Sequence, residues 1–342
     1  MTSAFKQALL LLLKRIDLTH AQMLAVMREI MAGELTPVQI SALLVGLRSK
    51  GETVDEIAAA AEVMREFATR VNISDYSHLI DTCGTGGDGI QTFNVSTVCA
   101  FVAAAAGAKV AKHGGRSVSS TCGSADVLET LGVNVNLTPP QVARCVDAIG
   151  IGFMFAPNHH SAMKHAAPVR HELGVRTLFN LLGPLTNPAG ARRQLMGVFH
   201  RDLTGLLAHV LQHLGSEHVM VVHGADGMDE ISFSGDTYVA ELKNGTVTEY
   251  VLNPSQLGLP LHTLQSIQVA TAGQARQMLL DVLAGRHGPP RDIVLLNAGA
   301  AIYVAGLAEN LQQGMQQAAR AIDSGTAQNK LQQLTALSQQ VA

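Results

Sequence analysis

Residues 79–88 read L-I-D-T-C-G-T-G-G-D, and this stretch decides the class of fold. The apolar pair Leu79-Ile80 predicts a short strand, and the three glycines that follow let the backbone take positive φ and approach a ligand closely. A helix is predicted to begin at about Asn94, where free N–H groups favour an anion. Together these features indicate a phosphate-binding turn, whereas a glycine turn alone would indicate only a loop. The stretch is neither a Walker A loop nor a G-x-G-x-x-G dinucleotide turn.

A second glycine-containing segment, residues 112–120, reads K-H-G-G-R-S-V-S-S and also follows a predicted strand. Lys112 and Arg116 supply positive charge and three serines supply hydroxyls. This combination suits a diphosphate, whose charge must be neutralised before it can leave. The alternative is that both cations are solvated surface residues. Ser124 then begins the next predicted helix, either as a phosphate ligand or only as its N-cap.

A third segment, residues 223–230, reads H-G-A-D-G-M-D-E and follows another apolar strand. Mg²⁺ prefers one or two carboxylates together with substrate oxygens and waters. Asp229 and Glu230 are therefore candidate metal ligands beside the two phosphate segments. An Asp-Glu pair alone is common on protein surfaces, and its position after a strand is what favours the metal site.

A fourth segment, residues 168–188, contains a cation and several rigid turns. Gly183-Pro184 and Asn187-Pro188 favour a structural linker. Arg170 could bind a carboxylate through two hydrogen bonds, or it could pair with Glu172 at the surface. The residues alone leave these two alternatives open.

The pattern of apolar residues divides the chain into two parts. Before about residue 72 it predicts only helices, with a helix start at Thr36-Pro37 and a capping box at Thr53 and Glu56. Helical spacing in the first of these helices extends over four apolar residues: Leu9, Leu10, Leu13 and Ile16. From about residue 78 strands and helices alternate, which favours a mostly parallel sheet with covering helices.

Two further predictions concern the second half of the chain. Tyr238–Leu242 and Val247–Val251 predict a β-hairpin around Asn244-Gly245. Ile293–Leu296 predicts an inner strand within a helical tail. The fold class is therefore α/β, with a small helical N-terminal domain, residues 1–72, and a larger α/β domain with a mostly parallel central sheet, residues 73–342.

Composition excludes several classes of function. A net charge of −3 without a long basic run argues against nucleic-acid binding. The apolar stretch Ala8 to Leu13 is too short to span a membrane, and polar residues interrupt Gly89 to Ala108. The four cysteines form no C-x-x-C pair, which predicts reduced thiols in a cytoplasmic protein. No metal site is predicted at three clustered histidines that lack Asp or Cys partners at ligand spacing: His159, His160 and His165.

Taken together, the four segments resemble the anthranilate phosphoribosyltransferase family over essentially the whole chain. The D-x-x-G-T-G-G-D turn, the K-H-G loop, the G-x-D-E pair and the N-L-L-G-P-L-T-N-P stretch follow the order and spacing of that family. The first two motifs are shared with the pyrimidine nucleoside phosphorylases, and the last two favour the anthranilate enzymes. The resemblance implies a homodimer formed through the helical domain, to which helices from about residues 160–185 are added.

The resemblance also implies a reaction and a set of site residues. The 5-phosphoribosyl group would pass from 5-phosphoribosyl 1-diphosphate (PRPP) to the amine of anthranilate, with Mg²⁺ as cofactor, in tryptophan biosynthesis. Catalysis would rest on Lys112, Asp229 and Glu230, and Mg²⁺ would bind to Ser96, Asp229 and Glu230. Anthranilate would contact Gly84, His113, Gly115 and Arg170. The donor would be bound by Gly84, Gly87, Asp88, Thr92, Asn94, Val95, Ser96, Thr97, Lys112, His113, Gly114, Gly115, Arg116, Ser117, Val118, Ser119, Ser120 and Ser124.

This chain departs from the family pattern at one position beside the acceptor. The family usually reads K-H-G-N-R, and here Gly115 replaces the Asn; Thr121-Cys122 also replaces a more polar pair. Two other functions compete with the main prediction. One is a pyrimidine nucleoside phosphorylase, which uses phosphate as nucleophile, and the other is a weakly active paralogue that binds phosphorylated ligands or nucleic acid.

Overall fold

The computed structural model describes residues 3–116 and 122–341, and its first part is a helical bundle. The bundle helices are α1 (Ala4–Leu12), α2 (His20–Met31), α3 (Pro37–Lys50) and α4 (Val54–Glu66). Capping boxes begin the last three of them, at Thr19, Thr36 and Thr53, so the predictions for Thr36-Pro37 and for Thr53 with Glu56 are confirmed. Helix α1 is shorter than predicted, because Leu13 is its C-cap and Arg15 takes a φ of 56° before Ile16.

Seven strands lie among the described residues, in two sheets. The strands are β1 (Leu79–Ile80), β2 (Lys109–Gly114), β3 (Ile151–Phe155), β4 (Arg193–Gly197), β5 (His218–Gly224), β6 (Thr237–Lys243) and β7 (Thr246–Leu252). One sheet has the order β1-β2-β3 and is parallel, and the other has the order β4-β5-β6-β7, in which β4 and β5 are parallel. A parallel bridge between Asp81 and Gln194 joins them. The C-terminal ends of β1, β2, β4 and β5 therefore share one edge.

The predicted hairpin is confirmed. Strands β6 and β7 pair antiparallel from Thr237 opposite Leu252 to Lys243 opposite Thr246. Asn244 and Gly245 both take positive φ, 52° and 75°, the conformation that a two-residue hairpin turn requires.

Eleven further α-helices lie among residues 3–116 and 122–341. They are α5 (Val95–Ala105), α6 (Ser124–Thr130), α7 (Pro139–Ile149), α8 (Ala156–His159), α9 (Ala167–Leu173), α10 (Phe179–Leu182), α11 (Leu203–His213), α12 (Ala272–Leu283), α13 (Pro289–Val304), α14 (Leu311–Asp323) and α15 (Thr326–Gln340). The prediction of an inner strand at Ile293–Leu296 is wrong, because these residues lie within α13. No helix in the described part of the chain is both long and apolar enough to cross a membrane.

The buried apolar side chains form two clusters, and the candidate site lies where they adjoin. One cluster surrounds α5 and α13 and includes the inner side chains of β1, β2 and β3. The other joins the bundle helices to residues 162–185 and to one face of the β4–β7 sheet. The segment of residues 162–185 thus packs on the bundle, and Arg170 belongs to this segment.

Candidate active site

The glycine-rich turn after β1 has the geometry that its sequence predicts. Gly86, Gly87 and Gly89 take φ values of 63°, 79° and 77°, which side chains rarely tolerate. Gly84 is required for a different reason: a Cβ there would lie 2.8 Å from the carbonyl oxygen of Gly197. The turn can therefore present its backbone to a ligand only because these positions are glycine.

The two acids after β5 lie directly against this turn. The Gly86 N–H donates to Asp229 Oδ2 at 2.9 Å, and the Ser96 N–H donates to Glu230 Oε1 at 3.1 Å. Burial, the charge of Asp88 and a hydrogen bond with Asp88 raise the pKa of Asp229 to about 7. Burial and the charge of Asp229 raise the pKa of Glu230 to about 8. Three carboxyl groups thus share one partly buried site, and each raises the free-energy cost of ionising its neighbours.

This carboxyl cluster fits Mg²⁺. All of its donor atoms are oxygens, the ligands that Mg²⁺ prefers. Asp88 Oδ2 is buried and accepts no hydrogen bond from the described residues, so it is free to coordinate a cation. Residues Asp88, Asp229 and Glu230 are therefore suited to hold the ion at the edge of the glycine turn.

Lys112 is the cation of the site, and it is buried rather than solvated. Only 3% of the residue is exposed. Its Nζ donates to the Thr82 carbonyl oxygen at 2.8 Å and to Ser96 Oγ at 3.2 Å. The ammonium lowers the pKa of Glu230 relative to the effect of burial alone. The structure thus brings Lys112, Ser96 and the two acids together.

The start of α5 forms the next wall of the site. Asn94 occupies the N-cap position but makes no capping bond; its Nδ2 donates to the Cys122 carbonyl oxygen at 2.9 Å. Asn94 Oδ1 is buried and has no partner among the described residues. Thr97 Oγ1 lies 3.3 Å from Ser124 Oγ, which links α5 to α6. The N-cap of α6 is Gly123 rather than the predicted Ser124, so the Ser124 hydroxyl faces Thr97.

Other predicted donor residues lie farther from the carboxyl cluster. Thr92 pairs with Gln268 in an isolated antiparallel bridge. Arg116 is half-exposed and pairs with Asp126 at 3.0 Å and with Glu129 at 2.6 Å. The predicted ligands Ser117, Val118, Ser119 and Ser120, together with Thr121, lie outside the described residues.

Three histidines cluster at β2, one of them predicted as a site residue and two excluded as metal ligands, and Arg170 lies in α9. His113 is buried, its ring contacts that of His160 edge-on at 5.1 Å, and neither ring makes a hydrogen bond of good geometry with the described residues. Burial and the two neighbouring histidines, His160 and His159, lower the pKa of His113 to about 3. Arg170 lies 5.8 Å from the Phe179 ring centroid. It forms no ion pair with Glu172 or any other acid in the described part of the chain, which disfavours the surface-pair alternative.

Three functional contacts were not predicted from the sequence. Asn187 Nδ2 donates to Asp81 Oδ2 at 2.7 Å and to the Ala111 carbonyl oxygen at 2.9 Å, so it ties β1 to β2. Arg176 stacks on Phe199 at 3.9 Å and donates to the Gly87 carbonyl oxygen. Asn297 in α13 accepts a hydrogen bond from the N–H of Ile231, the residue after Glu230, and donates one to the Ile231 carbonyl oxygen. The Asn187-Pro188 turn is recognisable in the sequence, but the residues that Asn187 contacts are distant from it in sequence.

The fold and site define a glycosyl transferase with a helical bundle and an α/β domain. Residues 76–328 match the α/β domain of a glycosyl transferase family, and residues 6–68 match its helical bundle domain. The chain is 67% identical to the anthranilate phosphoribosyltransferase of Methylobacillus flagellatus, with 98% of each chain covered. The chain belongs to the anthranilate phosphoribosyltransferase family.

Solved structures of this family have the same fold. The enzyme from Thermus thermophilus has a TM-score of 0.93 at 42% identity, and the match covers 99% of this chain and 100% of that enzyme. The Saccharomyces cerevisiae enzyme, solved in complex with PRPP and Mg, has a TM-score of 0.90 at 27% identity, with 99% of each chain covered. The same yeast enzyme in complex with 4-fluoroanthranilate has a TM-score of 0.88 at 26% identity, with 98% of each chain covered.

Proposed function

We propose that this chain transfers the 5-phosphoribosyl group from PRPP to the amine of anthranilate, releasing diphosphate, as a step of tryptophan biosynthesis. The observation that carries the proposal is the partly buried cluster of Asp88, Asp229 and Glu230 against the glycine turn, with the buried Lys112 beside it. A Mg²⁺-diphosphate needs this pairing of carboxylates and a cation. The membership of the family and the PRPP and Mg bound to its yeast member support the same assignment.

The chemical step requires charge stabilisation more than proton transfer. The ribose C1 passes through an oxocarbenium-like state while negative charge develops on the departing diphosphate. Mg²⁺ on the acid cluster would stabilise that charge, and Lys112 and the N–H groups at the start of α5 act in the same direction. The aromatic amine is neutral near pH 7, so no general base is needed. His113, with its depressed pKa, also stays neutral and adds no positive charge to the site.

The competing phosphorylase function makes a different demand on the site. A pyrimidine nucleoside phosphorylase would convert a nucleoside and inorganic phosphate and would not need the Asp229-Glu230 pair. We expect that phosphate does not cleave uridine or thymidine in the presence of this protein. We also expect that diphosphate is released from PRPP only when both Mg²⁺ and anthranilate are present. Phosphorolysis at a comparable rate, with no diphosphate released, would replace the proposal.

Arg170 is proposed to bind the anthranilate carboxylate. We expect Arg170→Ala to raise the KM for anthranilate on the order of ten- to a hundred-fold, because a charge-assisted hydrogen bond contributes about 1.5–3 kcal/mol. The KM for PRPP should change little. Steady-state kinetics in both substrates measures the difference, with Arg144→Ala, at an exposed position of α7, as the control. An unchanged KM for anthranilate would remove Arg170 from the acceptor site.

Gly115 gives a prediction about acceptor affinity, because the family usually has Asn there. Among the residues that the structure describes, no atom lies within 4 Å of a Cβ placed on Gly115, and its φ is not in the left-handed region, so these residues leave room for Asn without strain. We expect Gly115→Asn to tighten anthranilate binding roughly three- to twenty-fold, through one added hydrogen bond and a less flexible loop. Donor affinity should remain nearly constant.

Kinetics with anthranilate and ring-substituted analogues measure the effect of Gly115→Asn. Gly235→Asn is a matched control, since Gly235 also has open space at its Cβ and no positive φ. If Gly115→Asn leaves the turnover of anthranilate unchanged and abolishes the turnover of a ring-substituted analogue, Gly115 instead makes room for a bulkier acceptor.

We also propose that the chain forms a homodimer through its helical bundle and acts in the cytoplasm, where its four free thiols stay reduced. Large apolar side chains are exposed together on the bundle: Leu10, Leu13, Ile16, Val38 and Val45. An exposed apolar patch of this kind usually marks an interface.

The dimer is tested by placing a charge in this patch. Val38 is 78% exposed, so Val38→Asp should leave the fold intact but shift the protein to monomers at micromolar concentration. Val251→Asp, at a 51% exposed position of β7, is the control. Light scattering after size exclusion reports the mass, and a Val38→Asp protein that remains fully dimeric would rule out this face.

A further inference from the structure

A second group of possible metal-ligand atoms lies where β1 leads into the glycine turn, and it includes none of the proposed Mg²⁺ ligands. A carboxylate oxygen of Asp81, the Sγ of Cys83 and a ring nitrogen of His113 all lie within 4.8 Å of one another. Asp81 and His113 are buried, and Cys83 is partly exposed. These residues come from the ends of β1 and β2, which the sheet places side by side.

The atoms of this group are poorly satisfied by the protein. His113 is 3% exposed, and neither of its ring nitrogens makes a hydrogen bond of good geometry with the described residues. The Gly183 backbone lies close to it and opposes the lowering of its pKa in part. The Cys83 thiol makes only a 3.6 Å contact with the Gly84 carbonyl oxygen. Buried polar atoms without partners are rare and call for an explanation such as a bound ion.

The carboxylate of Asp81 is engaged but not saturated. Its Oδ2 accepts from Asn187 Nδ2 at 2.7 Å, and its Oδ1 accepts from the backbone N–H of His113 at 3.1 Å. A carboxylate oxygen has a second lone pair, so either oxygen can also bind a cation. Lys112 lies near enough to lower the pKa of Asp81 against the effect of burial, and its charge opposes cation binding in part.

The mixture of nitrogen, sulfur and oxygen selects the kind of cation. Thiolate and imidazole favour Zn²⁺ or Co²⁺ over Mg²⁺, and three protein ligands with one open position is a common zinc arrangement. We propose that Asp81, Cys83 and His113 form a site for a thiophilic divalent cation such as Zn²⁺, and that the bound ion blocks the acceptor. The ion displaces the thiol proton, which passes to solvent. Blocking of the acceptor rests on the proposed function, because the family resemblance assigns His113 to the anthranilate site.

Cobalt spectroscopy tests the site without any assay of activity. Co²⁺ is added to the whole protein in the presence of excess Mg²⁺, which occupies the carboxyl cluster. We expect one equivalent to bind and to produce a thiolate-to-cobalt charge-transfer band that is absent in Cys83→Ala. Cys145→Ala, which removes a buried thiol of α7, should keep the band. A wild-type protein without the band, or a Cys83→Ala protein that retains it, would overturn the proposal.

Inhibition kinetics test the consequence. Zn²⁺ at saturating Mg²⁺ should inhibit competitively with anthranilate, and Cys83→Ala should raise the inhibitory concentration at least about tenfold, the loss that even an outer-shell change causes. Cys83→Ala should keep its turnover without Zn²⁺. Inhibition competitive with PRPP instead would contradict the overlap with the acceptor. A protein with the cobalt band but no transferase activity would refute the proposed function and leave the metal site standing.

An independent observation concerns Asn297, which is fully buried in α13. Its Oδ1 accepts from the Ile231 N–H at 2.8 Å, and its Nδ2 donates to the Ile231 carbonyl oxygen at 2.9 Å and to that of Ile293 at 3.0 Å. The peptide immediately after Glu230 is thereby fixed to a helix that packs on α5. We infer that Asn297 is a positioning residue that sets the place of Glu230, an inference that rests on the proposed function.

Calorimetric titration of Mg²⁺ in the presence of pyrophosphate tests this role. Asn297→Asp keeps the acceptor for the Ile231 N–H and loses both donors, and Asn297→Ser is a second variant with a smaller side chain. We expect the Kd for Mg²⁺ to rise about ten- to a hundred-fold, with activity partly rescued by high Mg²⁺. Ser338→Ala, which removes a buried hydrogen bond to Asn134, should leave the Kd unchanged.

The outcomes of this titration distinguish a failure of the positioning role of Asn297 from a failure of the proposed function. A folded Asn297→Asp protein with wild-type Mg²⁺ affinity would overturn the positioning role. A loss of affinity of the same size in Ser338→Ala would also overturn it, because the effect would then be one of general stability. A wild-type protein that binds no Mg²⁺ would count against the proposed function itself.

Discussion

Asp229→Asn should lower kcat/KM at least about a hundredfold, because loss of a metal ligand removes several kcal/mol of charge stabilisation. The amide still accepts the Gly86 N–H, which lies 2.9 Å from Asp229 Oδ2, so the turn should keep its shape. Glu230→Gln should have an effect of similar size, and both variants should respond only weakly to Mg²⁺. Asp202→Asn removes the same charge at an 85% exposed position and should leave activity unchanged. Normal rates of both site variants at low Mg²⁺ would show that the metal lies elsewhere.

The same substitution should stabilise the metal-free fold at alkaline pH. Burial first, and then Asp88, raise the pKa of Asp229 from an ordinary 3.8 to about 7. The stability linked to this proton is complete below the ordinary pKa and is lost as the pH rises through 7. Asp229→Asn carries no charge to bury, so its Tm without Mg²⁺ should exceed that of the wild type at pH 8. The difference in Tm between the two proteins should shrink as the pH falls below 6. A Tm of Asp229→Asn below that of the wild type at pH 8 would contradict the claim that the ionised Asp229 destabilises the metal-free fold.

Gly86→Val should abolish PRPP binding while the protein remains folded. Gly86 has a φ of 63°, and no atom of residues 3–116 or 122–341 lies within 4 Å of a Cβ placed there. The substitution therefore causes no clash, but a β-branched residue resists positive φ, and its side chain occupies the space that the diphosphate needs. We expect the Kd for PRPP to rise more than about a hundredfold, a change of about 2.7 kcal/mol.

Gly258→Val is the matched control for Gly86→Val. Gly258 also has a positive φ, 77°, and open space at its Cβ, but it lies in a turn away from the site. The two variants should lose similar amounts of stability in thermal melts, and only Gly86→Val should lose the calorimetric signal of PRPP. A normal PRPP titration on folded Gly86→Val would show that the diphosphate does not approach this turn.

Local signals allowed much of the fold to be predicted from the sequence. Capping boxes, the Asn244-Gly245 turn and the glycine turn depend on neighbouring residues, and each has the expected geometry. The apolar run Ile293–Leu296 was assigned incorrectly, because a short apolar run is equally consistent with a strand or a buried helix. In the structure α13 is buried on nearly all sides. A Cβ on its Gly299 would lie 2.7 Å from the Met315 backbone nitrogen of α14, a contact that no local pattern reveals.

The site itself was partly predictable for a topological reason. Parallel strands end at one edge of a sheet, so segments that follow different strands can meet there. Lys112, near the end of β2, lies together with the glycine turn after β1 and with Asp229 and Glu230 after β5. The supporting contacts were not predictable. Asn187 meets Asp81 across 106 residues, and Asn297 meets Ile231 across 66, because tertiary packing rather than local sequence brings them together.

The central claim is tested most directly by following the fluorescence of anthranilate in the presence of PRPP and Mg²⁺. The proposed function predicts that the signal disappears at a rate proportional to enzyme. It also predicts that one diphosphate is released for each anthranilate consumed, and that consumption stops when the metal is chelated. Anthranilate fluorescence that stays constant with saturating PRPP and Mg²⁺, in a protein shown by calorimetry to bind PRPP, would contradict it.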